Sequence, residues 1–281
     1  MLKTRVVTAL VLLVVFLAAL FWLPQRAWAV FAGFLVVPAA WEWGKLIMLS
    51  RAACGLYGLI VAGVCAVLFG LEQAAFPAGA VALQDGGLQT AVYLGASLFW
   101  MVVVPLWLWR SWLPQTRWLA ALTGLMVLVP TWLALVELRN LGPSLLLLLM
   151  SVAWISDTAA YFAGRRFGRH KLAPSISPGK TWEGVAGALL AVSLYAGLWS
   201  FAWQAYFPQV LRSMRFEAIG MLLFLWLLTA IGIYGDLFES ALKRRAGVKD
   251  SGALLPGHGG VLDRIDALTS VLPVAALVYL S

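Results

Sequence analysis

Long apolar stretches, separated by short polar segments, repeat along almost the whole chain. An α-helix needs about 20 mainly apolar residues to cross the hydrocarbon core of a membrane. Nine stretches approach or exceed that length: Val6–Leu23, Trp28–Leu49, Cys54–Phe69, Ala91–Trp109, Trp118–Leu135, Leu145–Ala163, Trp182–Phe207, Phe216–Leu237 and Ala267–Leu280. The pattern therefore predicts an all-α, polytopic integral membrane protein with about nine transmembrane helices.

Composition supports a lipid environment. Of the residues, 63% are hydrophobic and 11% charged, whereas soluble domains carry about 25% charged residues. The net charge of +8 would suit nucleic acid, but the basic residues are spread over the ends of apolar stretches and no nucleic-acid-binding motif accompanies them. Cys54 and Cys65 share one apolar stretch without metal-ligand spacing, so we expect both to serve packing.

The distribution of basic residues predicts the orientation in the membrane, because Lys and Arg collect on the cytoplasmic side. With nine spans and a cytoplasmic N-terminus, only Arg26, Arg139, Arg212 and Arg215 of the 20 Lys and Arg residues fall on the far side. The C-terminus is then outside. The first stretch also resembles a signal peptide, but it is longer than the usual apolar core of about 7–15 residues, so we expect a retained helix.

The polar segment from Ser240 to Asp266 is the richest in candidate chemistry. Four basic residues within seven positions precede a glycine-rich turn at Gly257–Gly260. Glycines let the backbone approach a ligand and expose N–H groups, and the following helix presents its N-terminus to anions. Asp263 and Asp266 share one helical face, and their hard oxygens suit Mg²⁺. The segment predicts a phosphate site with a metal.

Asp236 comes directly after an apolar run, at a depth where a carboxylate is costly without a partner or a polar cavity. One interpretation is that Asp236 and Asp263 share a metal ion. The other is a helix-end acid paired with Lys243 or Arg244. We favour the metal, and predict Asp236 and Asp263 as its ligands.

A second polar segment, Gly164–Lys180, runs into the start of a helix. Gly179-Lys180-Thr181 is similar to part of a nucleotide P-loop, but Pro174 stands where that motif needs glycine. We expect Lys180 and Thr181 to contact phosphate at the helix N-terminus. The alternative is that Thr181 caps the helix.

Residues 240–266 resemble the phosphatidate cytidylyltransferase family, also called CDP-diacylglycerol synthase. The family pattern is matched by Ser240, Lys243-Arg244, Lys249-Asp250, Pro256, His258-Gly259-Gly260 and Asp263-Arg264-Ile265-Asp266. Ser177–Gly184 is similar to a second signature of the family, and Asp157 stands where the family has an acid. Because the length and the nine spans also agree, the resemblance covers most of the chain.

The resemblance implies transfer of the cytidylyl group of CTP to phosphatidic acid, giving CDP-diacylglycerol and pyrophosphate, on the cytoplasmic face of a bacterial inner membrane. It also implies Mg²⁺, allows a second, monovalent cation such as K⁺, and raises a homodimer as an expectation. The catalytic residues would be Asp236, Lys243, Asp263 and Asp266. The substrate-binding residues would be Asp157, Ser177, Lys180, Thr181, Glu183, Ser240, Arg244, Lys249, Asp250, Gly257, His258, Gly259, Gly260 and Arg264; a structural role for His258 stays open.

Two rival functions are a membrane transporter and another CTP-using lipid enzyme of the polyprenol kinase type. A transporter predicts charges spread through the middle of several spans, whereas most charges here gather at helix ends. The chain is predicted to divide into scaffold helices at 1–140 and a catalytic region at 141–281. We expect Glu42 and Lys45 to form a local ion pair, and Glu72, Asp85, Glu137 and Glu217 to be solvated loop charges.

Overall fold

The computed structural model describes residues 2–75, 87–206, 218–254, 257 and 259–280. Within these ranges the long helices are α1 (Leu2–Trp22), α2 (Gln25–Leu46), α3 (Arg51–Ala75), α4 (Gly87–Trp109), α5 (Arg117–Leu141), α6 (Pro143–Phe167), α7 (Trp182–Tyr206), α8 (Ala218–Arg245) and α9 (Leu262–Leu280). Each helix coincides with one of the nine predicted spans. The predicted helical, multi-pass architecture is thereby confirmed in outline.

Seven of these helices, α2 to α8, are long and apolar enough to cross a membrane within the described part of the chain. The apolar part of α1 is shorter, covering Thr8–Trp22, and α9 begins with a charged turn at Asp263–Asp266. The number of spans and their orientation therefore stay predictions. Trp28 of α2 is wholly buried and packs on Phe16 of α1.

Helices α5 and α9 form the centre of the bundle. Every residue of the ranges Val127–Leu138 and Ala267–Ala276 is buried, which is expected of helices that are apolar on all sides. α5 packs on α2, α6 and α9, and α9 also packs on α4 and α8. Outer helices expose side chains such as Leu59 of α3 and Leu194 of α7, so the exterior suits a lipid environment.

Glycines allow α8 and α9 to approach closely. A Cβ atom at Gly235 of α8 would lie 2.6 Å from Ser270 Oγ and 2.8 Å from the carbonyl oxygen of Asp266. Such distances are too short for a side chain, so only glycine permits this contact. The close approach places the part of α8 around Asp236 directly beside the first turns of α9.

Aromatic packing holds the same part of α8 against α4. A π-helical turn at Phe99–Val103 precedes Pro105, which has no N–H to donate and crowds the preceding turn. Phe99 and Trp100 pack edge-on against Phe238 at centroid distances of 5.9 and 5.7 Å. Aromatic pairs of this kind stabilise by about 0.5–1.5 kcal/mol beyond their burial. These contacts hold the part of α8 around Phe238 against α4.

A short antiparallel hairpin joins α6 and α7, which the all-α prediction did not include. Strand β1 (Lys171–Ala173) pairs with β2 (Ser177–Thr181), with an irregular register between Lys171 and Ala173. The hairpin ends directly at the first residue of α7. It therefore delivers Lys180 and Thr181 to the start of that helix.

The prediction that Glu137 is a solvated loop charge is wrong. Glu137 lies on α5, is 5% exposed, and accepts a hydrogen bond of 2.9 Å from the hydroxyl of Tyr93. Asp85, Glu217 and the side chain of Glu72 lie outside the described residues. The division of the chain at residue 140 stays a prediction.

Candidate functional site

Lys180 and Asp236 bring the two charged segments together. Lys180 Nζ lies 2.6 Å from Asp236 Oδ2, and it also donates to the carbonyl oxygen of Ile233 at 3.4 Å. Ser240, one helical turn after Asp236, donates its hydroxyl to Asp236 Oδ1 at 3.2 Å. The partner of Asp236 is therefore a lysine from the hairpin, and neither Lys243 nor Arg244 of its own helix.

Lys243 forms a second, more buried charge centre. Its Nζ lies 2.9 Å from Glu239 Oε2 and 2.6 Å from Asp263 Oδ1, and the three side chains are 12%, 4% and 7% exposed. Glu239 and Lys243 are four residues apart on α8, a spacing that places them on one helical face. The sequence analysis did not single out Glu239, although its spacing from Asp236 and Lys243 would have indicated it.

Asp263, in the first turn of α9, gathers donors from the preceding loop. It accepts hydrogen bonds from the backbone N–H of Ser251 at 3.0 Å and of Gly260 at 2.8 Å, besides Lys243. Burial alone would raise the pKa of Asp263, but the hydrogen bonds from Lys243 and Gly260 outweigh it, and the pKa lies below its usual range. Asp263 is thus held as a carboxylate.

The glycine-rich turn is shaped by Asp263. Gly259 has a φ of +86°, and a Cβ atom there would lie 2.9 Å from Asp263 Oδ2. Both the left-handed backbone and the close approach require glycine. Gly257 also has a positive φ, of 74°. His258 lies outside the described residues, so its predicted binding role stays a prediction.

Asp266 and Asp157 belong to the same charge cluster. Asp266 is close enough to Asp236 and Asp157 to experience both negative charges, and Asp157, on α6, also experiences the charge of Lys180. Asp266 accepts a hydrogen bond from the backbone N–H of Ala267 at 2.8 Å. Asp236 therefore has Asp157 and Asp266 as its acidic neighbours, while Asp263 belongs to the Lys243 centre.

The residues predicted in the hairpin and at the start of α7 make mainly local contacts. Thr181 is 4% exposed and its hydroxyl accepts from the backbone N–H of Gly184 at 3.1 Å, so it caps α7. Glu183 accepts from the backbone N–H of His170 and contacts its Nδ1 at 2.7 Å. Ser177, half-buried, pairs with Ala173 in the hairpin. None of these contacts tests a role in binding.

The remaining predicted binding residues lie at the exposed edge of the site. Arg244, Lys249, Asp250 and Arg264 are all exposed. Arg244 Nε donates to the carbonyl oxygen of Ile176 in the hairpin at 3.4 Å, which is a second link between the two charged segments.

The prediction for Glu42 is also wrong. Glu42 is wholly buried on α2, whereas Lys45 is exposed. Its Oε2 accepts hydrogen bonds from Ser251 Oγ at 3.1 Å and from the backbone N–H of Leu262 at 2.8 Å. The expected ion pair with Lys45 is wrong. An acid within an apolar stretch is costly unless it has a partner. The position of Glu42 in such a stretch could therefore have indicated a buried partner from another part of the chain.

The charge balance of the cluster suits a divalent cation. Two lysines, Lys180 and Lys243, face five carboxylates: Asp157, Asp236, Glu239, Asp263 and Asp266. Glu239 Oε1 is buried and accepts no hydrogen bond from the described residues. Within those residues no three acid, His or Cys side chains are grouped closely enough to hold a metal alone. Mg²⁺ commonly uses one or two carboxylates with substrate phosphates and water, so the residues fit such an ion.

The sequence pattern of the cytidylyltransferase family matches residues 3–281. The chain belongs to this family. It is 39% identical to the phosphatidate cytidylyltransferase of Pseudomonas aeruginosa, over 99% of this chain and 97% of that protein. It is 34% identical to the protein of that name from Haemophilus influenzae, over 99% of each. With the Thermotoga maritima phosphatidate cytidylyltransferase, identity is 42% over 50% of this chain. The resemblance inferred from residues 240–266 is confirmed.

Proposed function

We propose that this protein transfers the cytidylyl group of CTP to phosphatidic acid, giving CDP-diacylglycerol and pyrophosphate in phospholipid biosynthesis. One observation carries the proposal: over 99% of its length this chain is 34–39% identical to relatives named for this activity. The contact between Lys180 and Asp236, which joins the hairpin to α8 beside the second charged segment, supports it. The similarity does not favour a transporter or a polyprenol kinase. CTP, phosphatidic acid and the bilayer are the partners that this function requires.

Both reactants are anions, so the first task of the site is to bring them together. Lys180 and Lys243 stand at its centre, and Arg244, Lys249 and Arg264 at its exposed edge. Fixed cations lower the repulsion between two phosphates and orient them for reaction. We assign the edge residues to the triphosphate of CTP or the phosphate of the lipid.

A magnesium ion is part of the proposal. Asp236 would hold it from α8, with Asp266 as its acidic neighbour and Asp263 contributing from the Lys243 centre. Bound Mg²⁺ would offset charge on the phosphate oxygens in the transition state. The excess of carboxylates over lysines supports this ion and leaves room for a second, monovalent cation such as K⁺.

In the reaction, a phosphate oxygen of phosphatidic acid forms a bond to the α-phosphorus of CTP. The bond between that phosphorus and the oxygen bridging to the β-phosphate breaks, and pyrophosphate leaves with the electron pair. Lys243, held by Glu239 and Asp263, can donate hydrogen bonds to the developing charge. Lys180 can exchange Asp236 for a phosphate oxygen when the substrates bind.

We further propose a bacterial inner-membrane location with the charged segments facing the cytoplasm, where CTP is found. The apolar exterior of the helices supports a multi-pass membrane protein, and bacterial relatives make the inner membrane plausible. The acyl tails of the substrate would stay in the bilayer while its phosphate meets the charged segments. A homodimer rests on the family resemblance alone.

Position-specific labelling of CTP tests the function. The purified protein in detergent is given phosphatidic acid and CTP labelled with ³²P at either the α- or the γ-phosphate. Cytidylyl transfer puts the α-label into the lipid fraction and releases the γ-label as pyrophosphate. A polyprenol kinase would instead put the γ-label into a polyprenol added to the same assay, and a transporter would label no lipid. Either of these results would contradict the proposal.

A further inference from the structure

Glu42 connects the N-terminal helices to the loop that carries the candidate chemistry. Its Oε2 binds Ser251 and Leu262, which are 209 and 220 residues away in sequence. The neighbouring residue Trp43 packs on Phe238 of α8 at 6.3 Å. α2 is thus anchored beside the site, and its one carboxylate there reaches into the loop.

The bond to Leu262 caps α9. The first N–H groups of a helix have no partner within it, and a carboxylate is favourable at that end. Leu262 is the first residue of α9, directly before Asp263 and close to Asp266. Glu42 therefore acts on the helical turn that carries two of the predicted catalytic acids, while lying outside that turn itself.

The loop backbone packs closely against the Glu42 carboxylate at two glycines. A Cβ atom at Gly252 would lie 2.1 Å from Glu42 Oε1, and one at Gly260 would lie 2.4 Å from Glu42 Oε2. Both glycines are therefore required by Glu42. Gly260, which the sequence analysis attributed to ligand approach, has this structural reason as well.

Ser251 ties Glu42 to Asp263. Its hydroxyl donates to Glu42, and its backbone N–H donates to Asp263 at 3.0 Å. Asp263 in turn contacts Lys243. A continuous set of hydrogen bonds therefore runs from α2, through the loop, to the buried charge centre on α8.

From this arrangement we propose that Glu42 is a positioning residue for cytidylyl transfer. It holds Ser251 and the first turn of α9 so that Asp263 and Asp266 are presented to the reactants. The role rests on the proposed function. It requires a side chain long enough to accept hydrogen bonds from both Ser251 and Leu262. In this role Glu42 acts through the loop and α9 and does not contact a substrate.

Three substitutions of Glu42 distinguish the effect of side-chain length from the effect of its negative charge. Glu42→Gln keeps an oxygen for both donors, whereas Glu42→Asp is shorter by about 1.5 Å and Glu42→Ala has no acceptor. We expect Glu42→Gln to keep kcat within about fivefold of the unaltered protein. Glu42→Asp and Glu42→Ala should lower kcat by roughly 10–100-fold, as for other residues that orient a site from behind, with little change in KM for CTP. Lys45→Ala, on the exposed side of the same helix, is the matched control and should change nothing.

Hydrogen exchange gives a readout that needs no activity. Peptides from residues 251–262 should exchange about tenfold faster in Glu42→Ala than in Lys45→Ala, because the tethered N–H of Leu262 is released. Buried Cys54 and Cys65 allow folding of each variant to be followed with a thiol-reactive dye on heating. If the unaltered protein transfers no label but the exchange result holds, the proposed function fails and the tether stands.

Ser251→Ala covers the case in which Glu42→Ala does not fold. It removes one of the two donors to Glu42 while leaving α2 intact, and it should lower kcat a few-fold. Combined with Glu42→Asp it should cost less than the product of the two single effects, since both substitutions remove the same hydrogen bond. The proposal is overturned if folded Glu42→Ala keeps its kcat, if Glu42→Gln falls as far as Glu42→Ala, or if exchange in 251–262 is unchanged.

Discussion

The two charged segments of this protein are built in different ways. The hairpin segment, 168–181, is held by contacts between residues close in sequence, such as Thr181 with Gly184 and His170 with Glu183. In the loop segment, 246–261, Ser251 binds nearby Asp263 but also Glu42 of α2, which is 209 positions away. Both bring charged groups to one place, but the hairpin contacts α8, through Lys180–Asp236 and Arg244–Ile176, whereas the loop is tied to α2 through Glu42.

That difference has a functional consequence. Lys180 is held by its ion pair with Asp236 and a hydrogen bond to the carbonyl oxygen of Ile233, and we expect a phosphate oxygen to compete with Asp236 for this ammonium group. The loop is fastened at both ends to buried carboxylates, which keeps Asp263 in one position. We infer that the hairpin mainly serves binding, while the loop and α9 mainly serve the chemical step.

If the two charged segments form one site, both must lie on the same side of the membrane. A topology assay assigns each segment to one side or the other. Reporters inserted after Arg169 and after Lys249 should both behave as cytoplasmic, because Lys180–Asp236 and Arg244–Ile176 join the two segments. A reporter fused after Ser281 should behave as exported, given nine spans. An exported Arg169 reporter would remove access for CTP, and identical results for Arg169 and Ser281 would contradict the nine-span count.

The largest effect on rate is expected at Asp263. Asp263→Asn should abolish turnover, by about 100-fold or more, because it removes charge from the Lys243 centre while nearly preserving shape. The rate of label transfer measures this, and added Mg²⁺ should rescue it poorly. Asp266→Asn is the informative comparison, since it alters the neighbour of Asp236 instead. Asp263→Asn activity within a few-fold of the unaltered protein would contradict its assignment.

Lys180→Ala should weaken binding more than it slows chemistry. The loss of this ammonium group should raise KM for CTP or phosphatidic acid by about tenfold, and a half-exposed lysine costs little stability when truncated. Steady-state kinetics with each substrate varied in turn gives the KM values. Lys171→Ala, an exposed lysine of the same hairpin, is the control. Equal KM values for Lys180→Ala and Lys171→Ala would leave the hairpin without a binding role.

The smallest effect is expected at Glu183. Glu183→Ala removes the acceptor for the backbone and ring of His170, which should loosen the hairpin and reduce kcat/KM by about two- to fivefold, typical of a surface contact. His170→Ala should lose less, because the backbone contact persists. A loss of 100-fold in Glu183→Ala would mean that Glu183 touches a substrate directly.

Much of the site could be predicted because many of its charged residues and glycines lie close together in short motifs. Lys243 and Asp263 stand in one polar segment, and the φ of +86° at Gly259 accounts for the glycine found there. The partners of these residues were not predictable. Asp236 was predicted as a metal ligand, with Lys243 or Arg244 as its alternative partners, whereas it contacts Lys180, which lies 56 positions earlier in the chain.

The sequence by itself determined that the chain is a multi-pass bundle of apolar helices, because a run of about 20 apolar residues is a local property that lipid selects for. It also determined the family, through motifs of closely spaced residues. Only the tertiary structure decided which carboxylate meets which cation, and that Glu42 is a buried cap on α9 and not a partner of Lys45. The physical reason is that ion pairs and caps form between whichever groups helix packing brings within about 3 Å, and packing between distant segments is not encoded in any short window of sequence.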